Sequence, residues 1–116
     1  EFDKYIKIGK KLAKAYMQRG IQAAELSDFV ESSPHPVIIG GDFNDTPSSF
    51  AYQRLSSLLE DGFIQTGKGI GETYNGVIPF LRIDYILMVP SFKCTSFQTN
   101  KIPYSDHFPI IADISI

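Results

Sequence analysis

Val37-Ile38-Ile39-Gly40-Gly41-Asp42-Phe43-Asn44 is the stretch on which the reading of the whole chain depends. Three β-branched residues in a row, bounded by Pro34 and Pro36 before and by Gly40-Gly41 after, predict a short strand buried on both faces. A carboxylate and an amide stand at its end. On an extended backbone Asp42 and Asn44 are two apart, so they point to the same side and can act on one bound group. Phe43 then points the other way, into packing, and the glycines let other groups come close to the backbone. Taken alone, Asp42 and Asn44 could equally serve only to satisfy backbone groups of a turn.

Upstream of this strand, a helix is predicted from about Asp3 to about Glu31. Tyr5, Ile8, Leu12 and Tyr16, and then Ala23, Leu26 and Val30, recur at steps of three and four and form a stripe that should face a sheet. Gly20 is expected to mark a kink or a break between two helices, at about 1 kcal/mol relative to Ala. Lys4, Lys7, Lys11 and Lys14 make a second stripe, read as a solvated face in preference to a contact with a phosphate-rich partner.

Downstream, Thr46-Pro47 reads as N-cap and first residue of a helix running from Pro47 to about Glu60. Tyr52, Leu55 and Leu59 should point inward and Gly62 should close it. Phe63-Ile64 is expected to begin an extended segment, and Gly67-Lys68-Gly69-Ile70-Gly71 to be a flexible connection, since no Lys-Ser/Thr pair follows it as a phosphate loop requires. Thr73-Tyr74, Arg82 to Val89, Cys94 to Gln98 and Pro109 to Ile116 supply further strands, with Pro90-Ser91 separating two of them in hairpin fashion.

A chain of 116 residues is one small domain, residues 1–116, with room for a single core. Its apolar content of 43%, charged content of 21% and net charge of -2 predict a soluble domain without general attraction to nucleic acid or anionic membranes. Cys94 is the one cysteine, so no internal disulfide forms and the redox compartment stays open.

Two other places set polar chemistry against apolar strands. In Arg82-Ile83-Asp84-Tyr85-Ile86-Leu87 an acid lies within a segment that should be buried, and a buried carboxylate requires a partner. Arg82 is one candidate and His107 the other. Ser105-Asp106-His107 precedes the last apolar strand; as bland alternatives Asp106 caps a turn and His107 is a satisfied core residue. His35, between two prolines, reads as an exposed bystander. A calcium-loop reading of Asp42 to Thr46 fails because Pro47 stands where the turn glycine belongs.

Gly41-Asp42-Phe43-Asn44, Arg82-Ile83-Asp84-Tyr85-Ile86 and Ser105-Asp106-His107, in this order, resemble the three C-terminal motifs of the endonuclease/exonuclease/phosphatase superfamily. Arg19 and Gln22 leading into Leu26 and Val30 are similar to the family's helix before the first motif. The resemblance implies a mixed α/β (α+β) fold, one sheet with flanking helices, as half of a four-layer αββα sandwich. It also implies that the family's N-terminal half, which carries a metal-holding glutamate, is missing here.

The implied activity is metal-dependent hydrolysis of phosphate esters with Mg²⁺ or Mn²⁺. By the same resemblance Asp42 would orient and deprotonate the attacking water, and Asn44 would hydrogen-bond the nucleophile or a phosphate oxygen. Asp106 would be a ligand or near-ligand of the metal. His107 would donate to a non-bridging phosphate oxygen, with Asp84 orienting its ring and favouring its charged form. Asp45, Thr73 and Tyr74 are secondary candidates. The substrate, whether nucleic acid, phospholipid or sugar phosphate, stays open, and a non-catalytic binding module retaining the half-fold is the alternative. The chain alone is expected to be inactive. It is also expected to form a homodimer over an apolar sheet face drawn from Val37, Ile39, Ile83, Ile86, Ile110 and Ile114.

Overall fold

The strand predicted after Val37 forms, but at the edge of its sheet. The computed structural model describes residues 1–116, in the order α1 (Phe2–Ser32), β1 (Ile38–Asp42), α2 (Phe50–Ser56), β2 (Glu60–Asp61), α3 (Gly62–Thr66), β3 (Asp84–Met88), β4 (Lys93–Thr99) and β5 (Ile110–Ser115). β3 lies in the middle of an antiparallel sheet ordered β1-β3-β2. β4 and β5 form a separate antiparallel pair. The mixed helix-and-sheet class is as expected, whereas the single sheet is divided into two ladders.

Alternation along β3 explains where the core sits. Tyr85 and Leu87 point to one face, where they pack with Tyr52, Leu55 and Leu59 and with Leu26, Val30, Ile39 and Phe43 at the margin. On the opposite face Met88 joins Phe92 and Cys94, with Ile86, Phe97, Ala112 and Ile114 around them. β1 is therefore covered on the helix side only, and Ile38 remains 47% exposed. The expectation of a strand buried on both faces fails for that reason. Ile38, Gly40 and Asp42 share the other face with their register partners Met88, Ile86 and Asp84.

α1 runs unbroken through Gly20. The expected break does not occur there, and a Cβ would lie 3.4 Å from Phe50 Cδ1, an ordinary van der Waals contact with the start of α2. The apolar stripe divides in two. Ala23 is buried and Leu26 and Val30 meet the core, but Tyr5, Ile8, Leu12 and Tyr16 stay exposed and touch no sheet. Lys4, Lys7, Lys11 and Lys14 are exposed beside them. No helix is long and apolar enough to cross a membrane.

Three further expectations are corrected. α2 begins at Phe50, because Ser49 is the cap: its Oγ accepts from Tyr52 N at 3.1 Å, leaving Thr46-Pro47 in the preceding turn, and it ends at Ser56, with Glu60 in β2 and Gly62 opening α3 in place of closing α2. Phe63-Ile64 is helical, since the Asp61 side chain caps α3 by accepting from Phe63 N at 3.0 Å. Pro90-Ser91 does not join a hairpin, because β3 and β4 belong to different ladders. Tyr52, Leu55 and Leu59 are buried as expected, and residues 67–71 form neither helix nor strand.

Candidate active site

The last rung of the β1–β3 ladder sets Asp42 directly opposite Asp84. Two carboxylates facing each other across a strand pair repel, and the arrangement needs a positive charge between them. His107 supplies it. Its Nδ1 lies 2.8 Å from Asp84 Oδ2, and its Nε2 lies 3.5 Å from Asp42 Oδ2. The hydrogen bond to Asp84 raises the His107 pKa above its ordinary value; partial burial opposes this, and the charges of Asp84, Asp42 and Asp106 add to it. The imidazolium form is thereby favoured. The three side chains line a cleft of about 530 Å³, with Gly40, Gly41 and Ile86 along one wall and Ser105, Phe108 and Ile110 along the other.

Thr73 ties these elements together. Its buried hydroxyl accepts from Ile83 N at 3.0 Å and from Asp84 N at 3.1 Å, and its carbonyl accepts from Phe108 N at 2.7 Å. One residue thus registers the segments that carry Asp84 and His107. Tyr74 pairs with His107 in an isolated bridge, and its ring meets the imidazole edge-on at 5.9 Å between centroids. A Cβ on Gly76 would lie 2.0 Å from Tyr74 Cζ, so this glycine makes room for the ring. Ser105 Oγ accepts from His107 N at 3.1 Å and closes the turn before the histidine.

Asn44 and Asp106 stand differently. β1 ends at Asp42, and Asn44 turns out of the strand with φ 55°, so the two residues do not share a side of one extended backbone as expected. Asp42 Oδ1 accepts from Asn44 N at 2.8 Å, leaving Oδ2 toward His107. The carboxylate therefore serves the turn with one oxygen and the cleft with the other. Asn44 lines an adjoining groove, with Asp42, Arg19 and Gln22. Asp106 is exposed, accepts from Ser105 Oγ at 3.3 Å, and is not among the three residues whose ligand atoms converge. Phe43 packs on Tyr85 at 4.8 Å, as its alternation predicted.

The other polar candidates are placed as follows. Arg82 pairs with Asp61 and leaves Asp84 to His107. Asp45 pairs with Arg19, and His35 is exposed. The opposition of Asp42 and Asp84 and the tying role of Thr73 were not visible in the sequence, because both depend on register across segments distant in the chain.

The ligand atoms of Asp42, Asp84 and His107 lie within 4.8 Å of one another, close enough to hold one metal ion. A metal ion there would compete with the proton that Asp84 favours on His107, since it needs the lone pair of a deprotonated ring nitrogen. Hard divalent ions prefer oxygen, and here the available oxygens belong to carboxylates alone.

The profile described as the Endonuclease/Exonuclease/phosphatase family matches residues 14–107. Among curated proteins none matches significantly. Solved structures share the fold: a mannosyl-6-phosphatase of Bacteroides thetaiotaomicron is 21% identical with a TM-score of 0.67, the match covering 84% of this chain and 44% of that one. A conserved protein of unknown function from Enterococcus faecalis is 18% identical with a TM-score of 0.75, covering 86% and 45%. An endonuclease/exonuclease/phosphatase from Bacteroides vulgatus is 25% identical with a TM-score of 0.71, covering 84% and 44%. The chain spans less than half the length of each of these structures.

Proposed function

Because the chain belongs to the endonuclease/exonuclease/phosphatase family, whose members hydrolyse phosphate esters, we propose that it supplies part of a phosphoesterase active site in the whole protein. The observation that carries this reading is the His107 imidazole held between two carboxylates at an open cleft. In that position a charged imidazole donates a hydrogen bond to a non-bridging phosphate oxygen, and it stabilises the negative charge that builds there in the transition state. Asp84 holds the ring by Nδ1, which leaves Nε2 for the substrate. Asp42, with one oxygen outside the turn, orients and deprotonates the attacking water. Asn44 contributes from the adjoining groove as a donor to the nucleophile or phosphate.

Mg²⁺ or Mn²⁺, held by substrate phosphate and carboxylates that include Asp106, would supply charge neutralisation at the phosphoryl and leaving oxygens. This chain by itself is proposed to be inactive. It is also proposed to pair with a second copy. Of the face drawn from Val37, Ile39, Ile83, Ile86, Ile110 and Ile114, Ile83 is buried and Ile39 and Ile114 pack within the chain. That leaves Ile86 and Ile110 at the cleft, with the exposed Ile38, to carry an association that light scattering at micromolar concentration reads directly.

The test uses the whole protein with Mg²⁺ or Mn²⁺ against a nucleic acid, a phospholipid and a sugar phosphate. Hydrolysis of one class, lost in Asp42→Asn and His107→Ala, supports the reading and names the substrate. No hydrolysis of any class, with retained binding of one of them, would instead establish a binding module built on the same fold.

A further inference from the structure

We propose that Arg19, in the middle of α1, is a positioning residue for the active-site turn 42–46, acting through Asp45. The proposal rests on the phosphoesterase reading of Asp42 and Asn44, and it adds a residue from an element that does not reach the cleft.

Arg19 Nε donates to Asp45 Oδ2 at 2.8 Å. The Asp45 side chain is only 11% exposed, so its bond to the guanidinium is largely shielded from water. The Asp45 carbonyl is held as well, accepting from the Tyr85 hydroxyl at 2.8 Å. Tyr85 is fully buried against the tilted Phe43 and Tyr52 rings, and its single hydroxyl proton is shared between the Asp45 carbonyl and the Arg82 carbonyl, which lies 2.6 Å away. Asp45 is therefore tethered from the helix through its side chain and from the sheet through its backbone.

The residue between these tethers and the catalytic carboxylate is Asn44, whose φ of 55° lies in the left-handed region. Asparagine is among the few non-glycine residues that enter that region readily, and the tethers on Asp45 offset the small cost that remains. That conformation aims Asn44 N at Asp42 Oδ1, and this hydrogen bond turns the other Asp42 oxygen toward His107. The line of constraint runs from Arg19 to Asp45, to the backbone of Asn44, to the orientation of the Asp42 carboxylate. Arg19 also lines the groove that Asp42 and Asn44 share, so loss of its tether loosens both functional groups together.

The test compares the whole protein with Arg19→Ala, Arg19→Lys and Asp45→Asn, read by hydrogen exchange of the peptide over 42–46, with a peptide over β4 as control. Exchange at 42–46 is expected to rise about tenfold in Arg19→Ala while the control stays unchanged, as local opening does. Arg19→Lys should restore most of the protection. On the substrate found for the whole protein, kcat should fall about tenfold at nearly constant KM, the pattern of a misaligned transition-state contact. If Arg19→Ala loses protection everywhere, Asp45→Asn, which keeps the shape and removes the charge, is read in the same way. Unchanged exchange at 42–46, or a rise in Asp45→Asn shared equally by the control, overturns the proposal. The exchange measurement stands even if the whole protein hydrolyses no phosphate ester, so failure of the functional reading and failure of this one are separable.

Discussion

Two ion pairs begin two residues apart on one stretch of chain, Arg82–Asp61 and Asp84–His107, and they sit in opposite surroundings. In the first, Arg82 Nη1 meets Asp61 Oδ2 at 2.6 Å, and the side chains are 8% and 3% exposed. Asp61 also accepts from the Tyr52 hydroxyl at 2.7 Å and from Phe63 N at 3.0 Å. The guanidinium lies over the Phe63, Tyr85 and Tyr52 rings at 4.7, 5.0 and 5.7 Å. Burial opposes the Arg82 charge, but the Asp61 bond and charge outweigh it and raise its pKa; burial and Asp61 likewise raise that of Tyr52. Both Asp61 oxygens are engaged within the protein and the guanidinium lies among aromatic rings, so the pair presents little to a ligand. The second pair is complete on one side only: Asp84 engages Nδ1, while Nε2 faces Asp42 at a distance too long for a hydrogen bond, on the wall of an open cleft. Equal-looking charges thus divide into a structural pair and a functional one by how much of their bonding capacity the fold uses.

The largest effect should come from breaking the buried pair. Asp61→Ala leaves the Arg82 charge uncompensated and should cost about 3–5 kcal/mol in urea unfolding of this chain. Asp84→Asn, at a side chain 14% exposed beside a His107 that is 29% exposed, keeps the shape and loses one charge-assisted hydrogen bond, and should cost less, about 1–2 kcal/mol. Equal losses for the two would erase the distinction between the pairs.

Activity should divide the other way. In the whole protein His107→Ala and Asp42→Asn should each lower kcat about 10²-fold or more on the substrate it hydrolyses, with little change in unfolding free energy. A near-normal rate for Asp42→Asn would remove it from the role assigned to it.

A smaller effect is expected in the pH dependence of stability. The His107 pKa is raised in the folded state above its ordinary 6.5, so its contribution is fully present below that value and is lost as pH rises through the folded value. Unfolding followed from roughly pH 5 to pH 9 should therefore show a decline that Asp84→Asn flattens, because Asp84 is the main cause of the shift. NMR titration of the His107 ring should show the same substitution lowering its pKa. A ring that titrates alike in both proteins would contradict the pairing.

The three motifs were legible because each sets a costly polar group beside an apolar strand, and the chemistry shows in the residue types themselves. The partners were less legible. Asp84 could have paired with Arg82 or His107, and the choice was made by Asp61, which reads in sequence as the worn end of a helix but is buried as the cap of α3. Phe63 has strand propensity, yet that cap and the guanidinium over its ring hold it in a helix. Pro90-Ser91 does make a tight turn, with Phe92 N donating to the Val89 carbonyl at 3.0 Å, but the strand that leaves it enters the second core and pairs with β5 instead of β3. Asn44 was judged mainly as though the strand continued, whereas Asp42 Oδ1 closes a turn on its backbone N, as the plainer alternative had it, and the next residue, Asp45, pairs with Arg19 far upstream.

The same difference in satisfaction predicts how the open pair meets a metal. Arg82–Asp61 has no free oxygen for a cation, whereas Asp42, Asp84 and His107 bring ligand atoms within 4.8 Å. To bind there, a divalent ion must displace the proton that the two carboxylates favour on His107, and that competition weakens binding. Asp106, the carboxylate assigned to the metal by family resemblance, is exposed and engaged by Ser105. An octahedral oxygen site for Mg²⁺ normally includes waters and substrate phosphate as well as carboxylate. Calorimetry of this chain with Mg²⁺ or Mn²⁺ should therefore show no site tighter than about millimolar. What little binding occurs should strengthen as pH rises, since deprotonation of His107 frees the cluster. A micromolar site abolished by Asp106→Asn would place the metal away from the Asp42–His107–Asp84 bridge and would leave that bridge to phosphate alone.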